Sequence, residues 1–154
     1  MAPMAGIETV RIGEAARRTG LTPRTLRYYE EMGLLRPHSP EEGASRRYSQ
    51  AEIERIERIR ELQDLLGLSL GEIRVVLEAE DTMSTLRERY HRDASPRSQL
   101  RVLREAIAVN EELLASLDAR IERIDRFRGE VDAKLGRMRT RAAELDRTAG
   151  VRSR

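Results

Sequence analysis

The stretch TGLTPRTLRYYEEMG, residues 19–33, decides the fold of the first part of this chain. Gly20 is a residue that readily ends a helix in the left-handed conformation. Thr22-Pro23 then combines an N-cap residue with a proline at the first helical position, and Gly33 ends the new helix. A short helical segment, Ile12 to Thr19, precedes the turn. Two short helices joined by a tight turn have the spacing of a helix-turn-helix.

The chain beyond Gly33 predicts a hairpin and two further helices. From Leu34 to Tyr48, two brief runs flank a polar, turn-forming segment, which is typical of a hairpin with a loose tip. SQAE at 49–52 and SLGE at 69–72 are capping boxes, each followed by apolar residues at helical spacing. We therefore expect one helical domain over residues 8–80, closed by its fourth helix.

Residues 81–95 predict a connector that can contain a short helix. Met83, Leu86 and Tyr90 would share one face of such a helix. Two interpretations stay open: the segment packs on its neighbours, or it lines part of a pocket for a small-molecule effector, near Tyr90 and His91.

A heptad pattern dominates the rest of the chain and predicts a dimerisation helix over residues 96–146. Twelve of its fourteen a and d positions are apolar, and a strict 3.5-residue repeat over six heptads indicates a coiled coil. The apolar span would be about 68 Å long, too long to be covered by the first domain, so the natural partner is a second copy of the chain. If the helix breaks, Gly129 and Gly136 mark 129–136 as the place, and 147–154 would be a flexible tail. The predicted dimerisation residues are Leu100, Leu103, Ile107, Asn110, Leu114, Leu117, Ile121, Ile124, Arg128, Val131 and Leu135.

Composition excludes several classes of function. The chain has no cysteine and two histidines, so we expect no disulfide framework, no thiolate metal site and no zinc centre. No paired carboxylates, activated nucleophile or phosphate-binding glycine loop can be assembled, so we expect no enzyme activity and no cofactor. No apolar run approaches the length of a membrane span, and the first residues lack the features of a signal peptide. The expectation is a cytoplasmic protein that has no contact with a membrane.

Charge is unevenly distributed along the chain. The net charge is only +2, with 36% of residues charged, yet residues 10–50 hold eight arginines against five acidic residues. In the second helix, Arg24, Arg27 and Tyr28 would face outward while Leu26 points to the core. Such a helix could lie in a major groove with its donors on base edges and phosphates. The rival interpretation is a solvated face on a coiled-coil protein-interaction module that does not bind DNA.

These residues resemble the MerR family of bacterial transcription regulators over about residues 10–78. The motifs that carry the resemblance are IGEAA at 12–16, TLRYYE at 25–30, GLL at 33–35, RRYS at 46–49, IR at 59–60 and LGLSLGEI at 66–73. The resemblance implies a mainly α protein, with an N-terminal winged helix-turn-helix domain followed by a long antiparallel coiled-coil dimerisation helix. Tyr29 is equally consistent with a core residue and a contact. The candidate DNA-binding residues are Arg18, Thr22, Arg24, Arg27, Tyr28, Arg36, Arg46, Tyr48 and Arg60.

The resemblance also implies partners and a mode of action. A homodimer would bind a pseudo-palindromic operator in double-stranded promoter DNA and distort an overlong promoter spacer, so that bacterial RNA polymerase meets both of its recognition elements. Metal-sensing members carry cysteines that this chain lacks, and drug-sensing members carry a large C-terminal domain where this chain has a short tail. An effector, if there is one, is therefore unidentified and is not a thiolate-bound metal.

Overall fold

The structure is a computed structural model that describes residues 8–36 and 47–151. The chain divides into two units, residues 1–99 and residues 100–154. The elements, in order, are β1 (Thr9–Arg11), α1 (Ile12–Thr19), α2 (Pro23–Glu31), β2 (Arg47–Ser49), α3 (Gln50–Leu66), α4 (Leu70–Arg92) and α5 (Pro96–Val151). The predicted class, a mainly α protein with an N-terminal helix-turn-helix and a long C-terminal helix, is confirmed.

Helix ends follow the local signals in the sequence. Both capping boxes are formed: the side chains of Ser49 and Ser69 accept from the N–H groups of Glu52 and Glu72, whose carboxylates accept in return. These bonds satisfy N–H groups that have no partner within the helix. Gly67, with φ of 58°, ends α3 in the left-handed conformation. Local signals therefore set the starts of α3 and α4 and the end of α3.

The small sheet differs from the predicted hairpin. In the described residues, β2 pairs antiparallel with β1, and Val10 lies opposite Tyr48. Leu34 and Leu35, the expected first arm, are not in a strand, and both are buried, at 1% and 2% exposed. Consecutive side chains of a strand point to opposite faces, so burial of both favours a core segment over a solvated hairpin arm. The predicted tip lies outside the described residues.

α4 is longer than predicted. The helix continues from Leu70 to Arg92, so the expected boundary near residue 80 falls inside it, and most of the expected connector is helix. The cause is a continuous apolar face: Ile73 and Leu77 are buried, Met83 is half-buried and Leu86 is 4% exposed. No residue between Gly71 and Arg92 breaks a helix.

α5 is a single helix of 56 residues. It continues through Gly129 and Gly136, the place at which the sequence favours any break, and extends to Val151, beyond the predicted end at residue 146. No helix in the described ranges combines the length and apolar character that crossing a membrane requires. Within the same ranges, no three His, Asp or Glu side chains are grouped as a metal site.

Candidate nucleic-acid interface

The turn between α1 and α2 is held by backbone geometry and by one side chain. Gly20 adopts φ of 68°, which lets its N–H and that of Leu21 reach back to the carbonyls of the last turn of α1. Thr22 caps α2: its hydroxyl accepts from the N–H of Thr25 at 3.1 Å. A β-carbon at position 20 would be strained by the positive φ. The two helices are therefore held at one angle by local interactions.

The inner face of α2 attaches the helix to the core. Leu26 is fully buried, and Tyr29 is 4% exposed. The hydroxyl of Tyr29 donates to Oε1 of Gln63 on α3 at 2.9 Å, and burial raises the pKa of this tyrosine. Tyr29 is therefore a core residue, which decides between the two roles left open by the sequence.

The outer face of α2 presents free cations. Arg24 and Arg27 are exposed, and Tyr28 is 49% exposed. Within the described residues neither arginine has an acidic partner, and the first turn of α2 holds no acidic side chain. The positive end of the helix dipole points the same way as these groups. The surface is thus prepared for an anion such as phosphate.

Two arginines of α3, by contrast, form ion pairs with acidic side chains. Arg58 donates to Glu80 at 2.7 Å and to Glu61 at 2.5 Å, and these carboxylates raise the pKa of its guanidinium. Arg55 donates to Asp81 at 2.8 Å. The contrast separates arginines that tie α3 to α4 from those on α2, which remain available to a partner.

The N-terminal half of the chain matches a known sequence family. Residues 10–80 match the family described as MerR HTH family regulatory protein. Residues 10–80 of this chain are therefore a MerR-family domain. The MerR-family match covers α1 to α4 up to Glu80 and so includes the helix-turn-helix, β2 and α3.

Two curated relatives differ in how much of this chain they match. The HTH-type transcriptional regulator YfmP of Bacillus subtilis is 28% identical over 131 residues, which are 85% of this chain and 94% of YfmP. The nodulation protein NolA of Bradyrhizobium elkanii is 42% identical over 76 residues, 49% of this chain and 34% of NolA. This chain therefore spans nearly all of YfmP and about a third of NolA.

A structure search also matches a solved regulator. The transcription regulator PbrR691 from Ralstonia metallidurans, in complex with lead(II), is 24% identical, with a TM-score of 0.43, and the match covers 77% of this chain and 85% of that one. The MerR-family domain and the similarity to a transcriptional regulator make this chain a DNA-binding regulator.

Four of the predicted DNA-binding residues lie together around the turn and α2. These are Thr22, Arg24, Arg27 and Tyr28, all exposed. Arg18 lies on α1 and donates to Glu14 at 2.8 Å; this hydrogen bond, with the nearby charge of Arg17, lowers the pKa of Glu14. The spacing of three and four residues between Glu14 and these arginines is a signal that sequence reasoning missed.

The position of Tyr48 differs from the prediction. It was predicted to contact DNA, but it is 0% exposed, and its hydroxyl donates to Oε1 of Glu30 on α2. A strand residue opposite Val10 that points into the core cannot reach a groove. The side chain of Tyr48 therefore attaches β2 to α2 and is not exposed for a contact with DNA.

The remaining predicted DNA-binding residues are Arg60, Arg36 and Arg46. Arg60 is exposed, and its guanidinium donates to the carbonyl of Thr19 at the end of α1, so part of its function is to cap that helix. Arg36 is exposed and Arg46 lies outside the described residues. Arg55, which the sequence did not single out, donates from Nε to the carbonyl of Leu34 at 2.7 Å and so positions the chain where it leaves α2.

Proposed function

We propose that this chain is a homodimeric transcriptional regulator in which α2 enters the major groove of a promoter operator. The observation that carries the proposal is the exposed outer face of α2, on which Arg24 and Arg27 have no acidic partner in the described residues, whereas two arginines of α3 are paired with acidic side chains. Arginine suits this role because its planar fork binds phosphate or guanine with two parallel hydrogen bonds.

Support for the homodimer comes from α5. Its a and d side chains expose an apolar stripe, including Ile107 at 55%, Leu114 at 58% and Ile121 at 56%. Such a stripe along a single helix needs a partner of matching length, which a second α5 supplies. Two α2 helices in one dimer then bind the two halves of a pseudo-palindromic operator.

The regulator acts by distorting promoter DNA. By analogy with the family of its N-terminal domain, the dimer shortens an overlong spacer by bending and untwisting it, so that RNA polymerase meets both recognition elements. Deformation of this kind costs a few kcal/mol, which the contacts of two α2 helices offset. The proposal implies a cytoplasmic location, where promoter DNA lies, and leaves the effector unidentified.

A binding titration tests DNA recognition. The purified chain is titrated against labelled DNA from upstream of its own coding sequence, by fluorescence anisotropy, at several salt concentrations. With about six to ten phosphate contacts, affinity falls roughly 10³- to 10⁵-fold between 50 and 200 mM salt. Absence of binding at low salt contradicts the proposal and favours a protein-interaction module.

Spacer distortion has a separate test. Transcription in vitro is measured from templates whose spacer is shortened one base pair at a time, with RNA polymerase and the chain present. Activation is expected on the overlong spacer and is lost as the spacer approaches the length that polymerase prefers. Equal activation at every spacer length contradicts the distortion mechanism but leaves DNA binding intact.

A further inference from the structure

The apolar stripe of α5 is interrupted at two heptad positions. Asn110 falls at a d position and Arg128 at an a position, within a run that is otherwise apolar from Leu100 to Leu145. Nδ2 of Asn110 donates to the carbonyl of Ala106 at 2.9 Å, and Arg128, 83% exposed, lies 3.8 Å from Oδ1 of Asp125. Against the hydrocarbon of a partner helix, either side chain would weaken association about tenfold to hundredfold.

The direction of the partner helix decides what these two residues meet. In a parallel pair, equivalent positions face each other, so Arg128 would face Arg128 of the partner and two like charges would be buried together. In an antiparallel pair, each a position faces a d position, and the numbers of facing residues have a constant sum. The antiparallel direction therefore allows the two polar residues to meet each other.

One antiparallel register joins Asn110 to Arg128. Registers differ by whole heptads, and a sum of 238 pairs the two polar residues, whereas a shift of one heptad either way sets both against apolar side chains. In this register every other layer is apolar. The layers are Leu100 with Met138, Leu103 with Leu135, Ile107 with Val131, Leu114 with Ile124, and Leu117 with Ile121.

The surface of α5 is compatible with this register. Two shallow concavities lie on its apolar side, one lined by Leu103, Ile107 and Asn110 among others, the second lined by Arg128, Val131 and Leu135 among others. The register derived from the polar residues sets these two concavities face to face. Each would then receive side chains from the partner, as in knobs-into-holes packing.

Charges at the edges of the stripe are mixed in this register. Arg104 faces Asp132 favourably, whereas Glu111 faces Asp125 and Asp118 faces its own copy. Glu111, Asp118 and Asp125 are exposed, so water and salt screen their repulsion. The buried polar pair and the apolar layers therefore dominate the choice of register.

We propose that two copies of α5 pair antiparallel with Asn110 of each protomer bound to Arg128 of the other, and that this polar pair selects the register. The inference rests on the proposed homodimer and adds its alignment. The amide oxygen of Asn110 accepts from the guanidinium, which satisfies both groups inside the seam. The two-fold axis passes between the layers formed by Leu117 and Ile121.

Cysteine cross-linking tests the register, because the natural chain has no cysteine. Differently tagged Leu103→Cys and Leu135→Cys chains are co-expressed and mildly oxidised, and a mixed disulfide dimer is expected. Leu103→Cys with Ala142→Cys reports a one-heptad slip, and Leu103→Cys alone reports a parallel pair; neither is expected to cross-link. Cross-linking in either control overturns the register while the homodimer stands. A chain that stays monomeric in sedimentation overturns both, and DNA binding is measured separately.

A double-mutant cycle tests the polar pair. Asn110→Leu and Arg128→Leu should each raise the dimer dissociation constant about tenfold or more, because each leaves its former partner against hydrocarbon. The double variant should dimerise at least as tightly as the natural chain. In the double variant the slipped Leu103→Cys and Ala142→Cys pair should now cross-link, because nothing polar selects the register. Additive single effects, or a double variant that keeps one register, overturn the assignment.

Discussion

The guanidinium of Arg27 is exposed and has no acidic partner in the described residues, so its charge is available to DNA. Arg27→Ala should weaken operator binding about 5- to 150-fold, because one groove or phosphate contact is worth about 1–3 kcal/mol. Arg74→Ala is the matched control: it removes the same charge from an exposed position on α4, where Arg74 lies 3.9 Å from Glu78. Anisotropy titrations compare the two. An equal loss in both variants would mean that only net charge matters.

The hydroxyl of Tyr48 holds β2 against α2 through Glu30. Tyr48→Phe keeps the buried ring and removes the hydrogen bond, so the free energy of unfolding should fall by about 1.5–3 kcal/mol, as for other hydrogen bonds to a charged group. Urea denaturation followed by circular dichroism measures this loss. The operator affinity of the folded protein should be unchanged, since the side chain is buried. A large loss of affinity without loss of stability would return Tyr48 to the DNA surface.

Among the elements, α5 contains three glycines, and two of them, Gly129 and Gly136, lie well inside the helix. A β-carbon at Gly129 or Gly136 would meet no atom within 4 Å, and both positions are helical. Gly129→Ala and Gly136→Ala should each stabilise the helix by about 0.5–1 kcal/mol. Thermal unfolding of the double variant measures the gain. A lower melting temperature would indicate a bend or a contact at these positions in the dimer.

The element ends show how much of the fold could be read locally. Thr22, Ser49 and Ser69 cap helices as their sequence context predicts, because a cap involves residues only three positions apart. The end of α4 was predicted wrongly, because no glycine or proline marks residue 80, and the apolar face continues to Leu86. The starts of helices were thus predicted better than the end of α4, which no local signal marks near residue 80.

At the scale of the whole molecule, two DNA-binding units should depend on α5 to act together. Leu117→Glu places a charge in the apolar seam and should give a monomer, because burying an unpaired carboxylate is costly. Operator affinity should then fall by about 10² or more, as the second binding event is no longer intramolecular. Analytical ultracentrifugation and anisotropy measure the two effects.

Ala119→Glu is the control for this prediction, because position 119 lies on the outer face of the heptad. It adds the same charge and should leave both dimer and affinity unchanged. A monomeric Leu117→Glu chain with undiminished operator affinity would contradict cooperation between the two units.

The sequence by itself determined the helix-turn-helix, the capped helix starts and the apolar stripe of α5. These features depend on residues within one or two turns of each other, so their physics is local. Only the tertiary structure decided that β2 pairs with β1, thirty-eight positions away at Val10 and Tyr48, and that Tyr29 and Tyr48 are buried. Burial depends on which distant segments cover a side chain, and an aromatic residue with a polar end suits a core and a DNA surface equally well. The local sequence of α2 therefore predicts its exposed face with Arg24, Arg27 and Tyr28, whereas the contacts that hold α2 in place depend on distant segments of the fold.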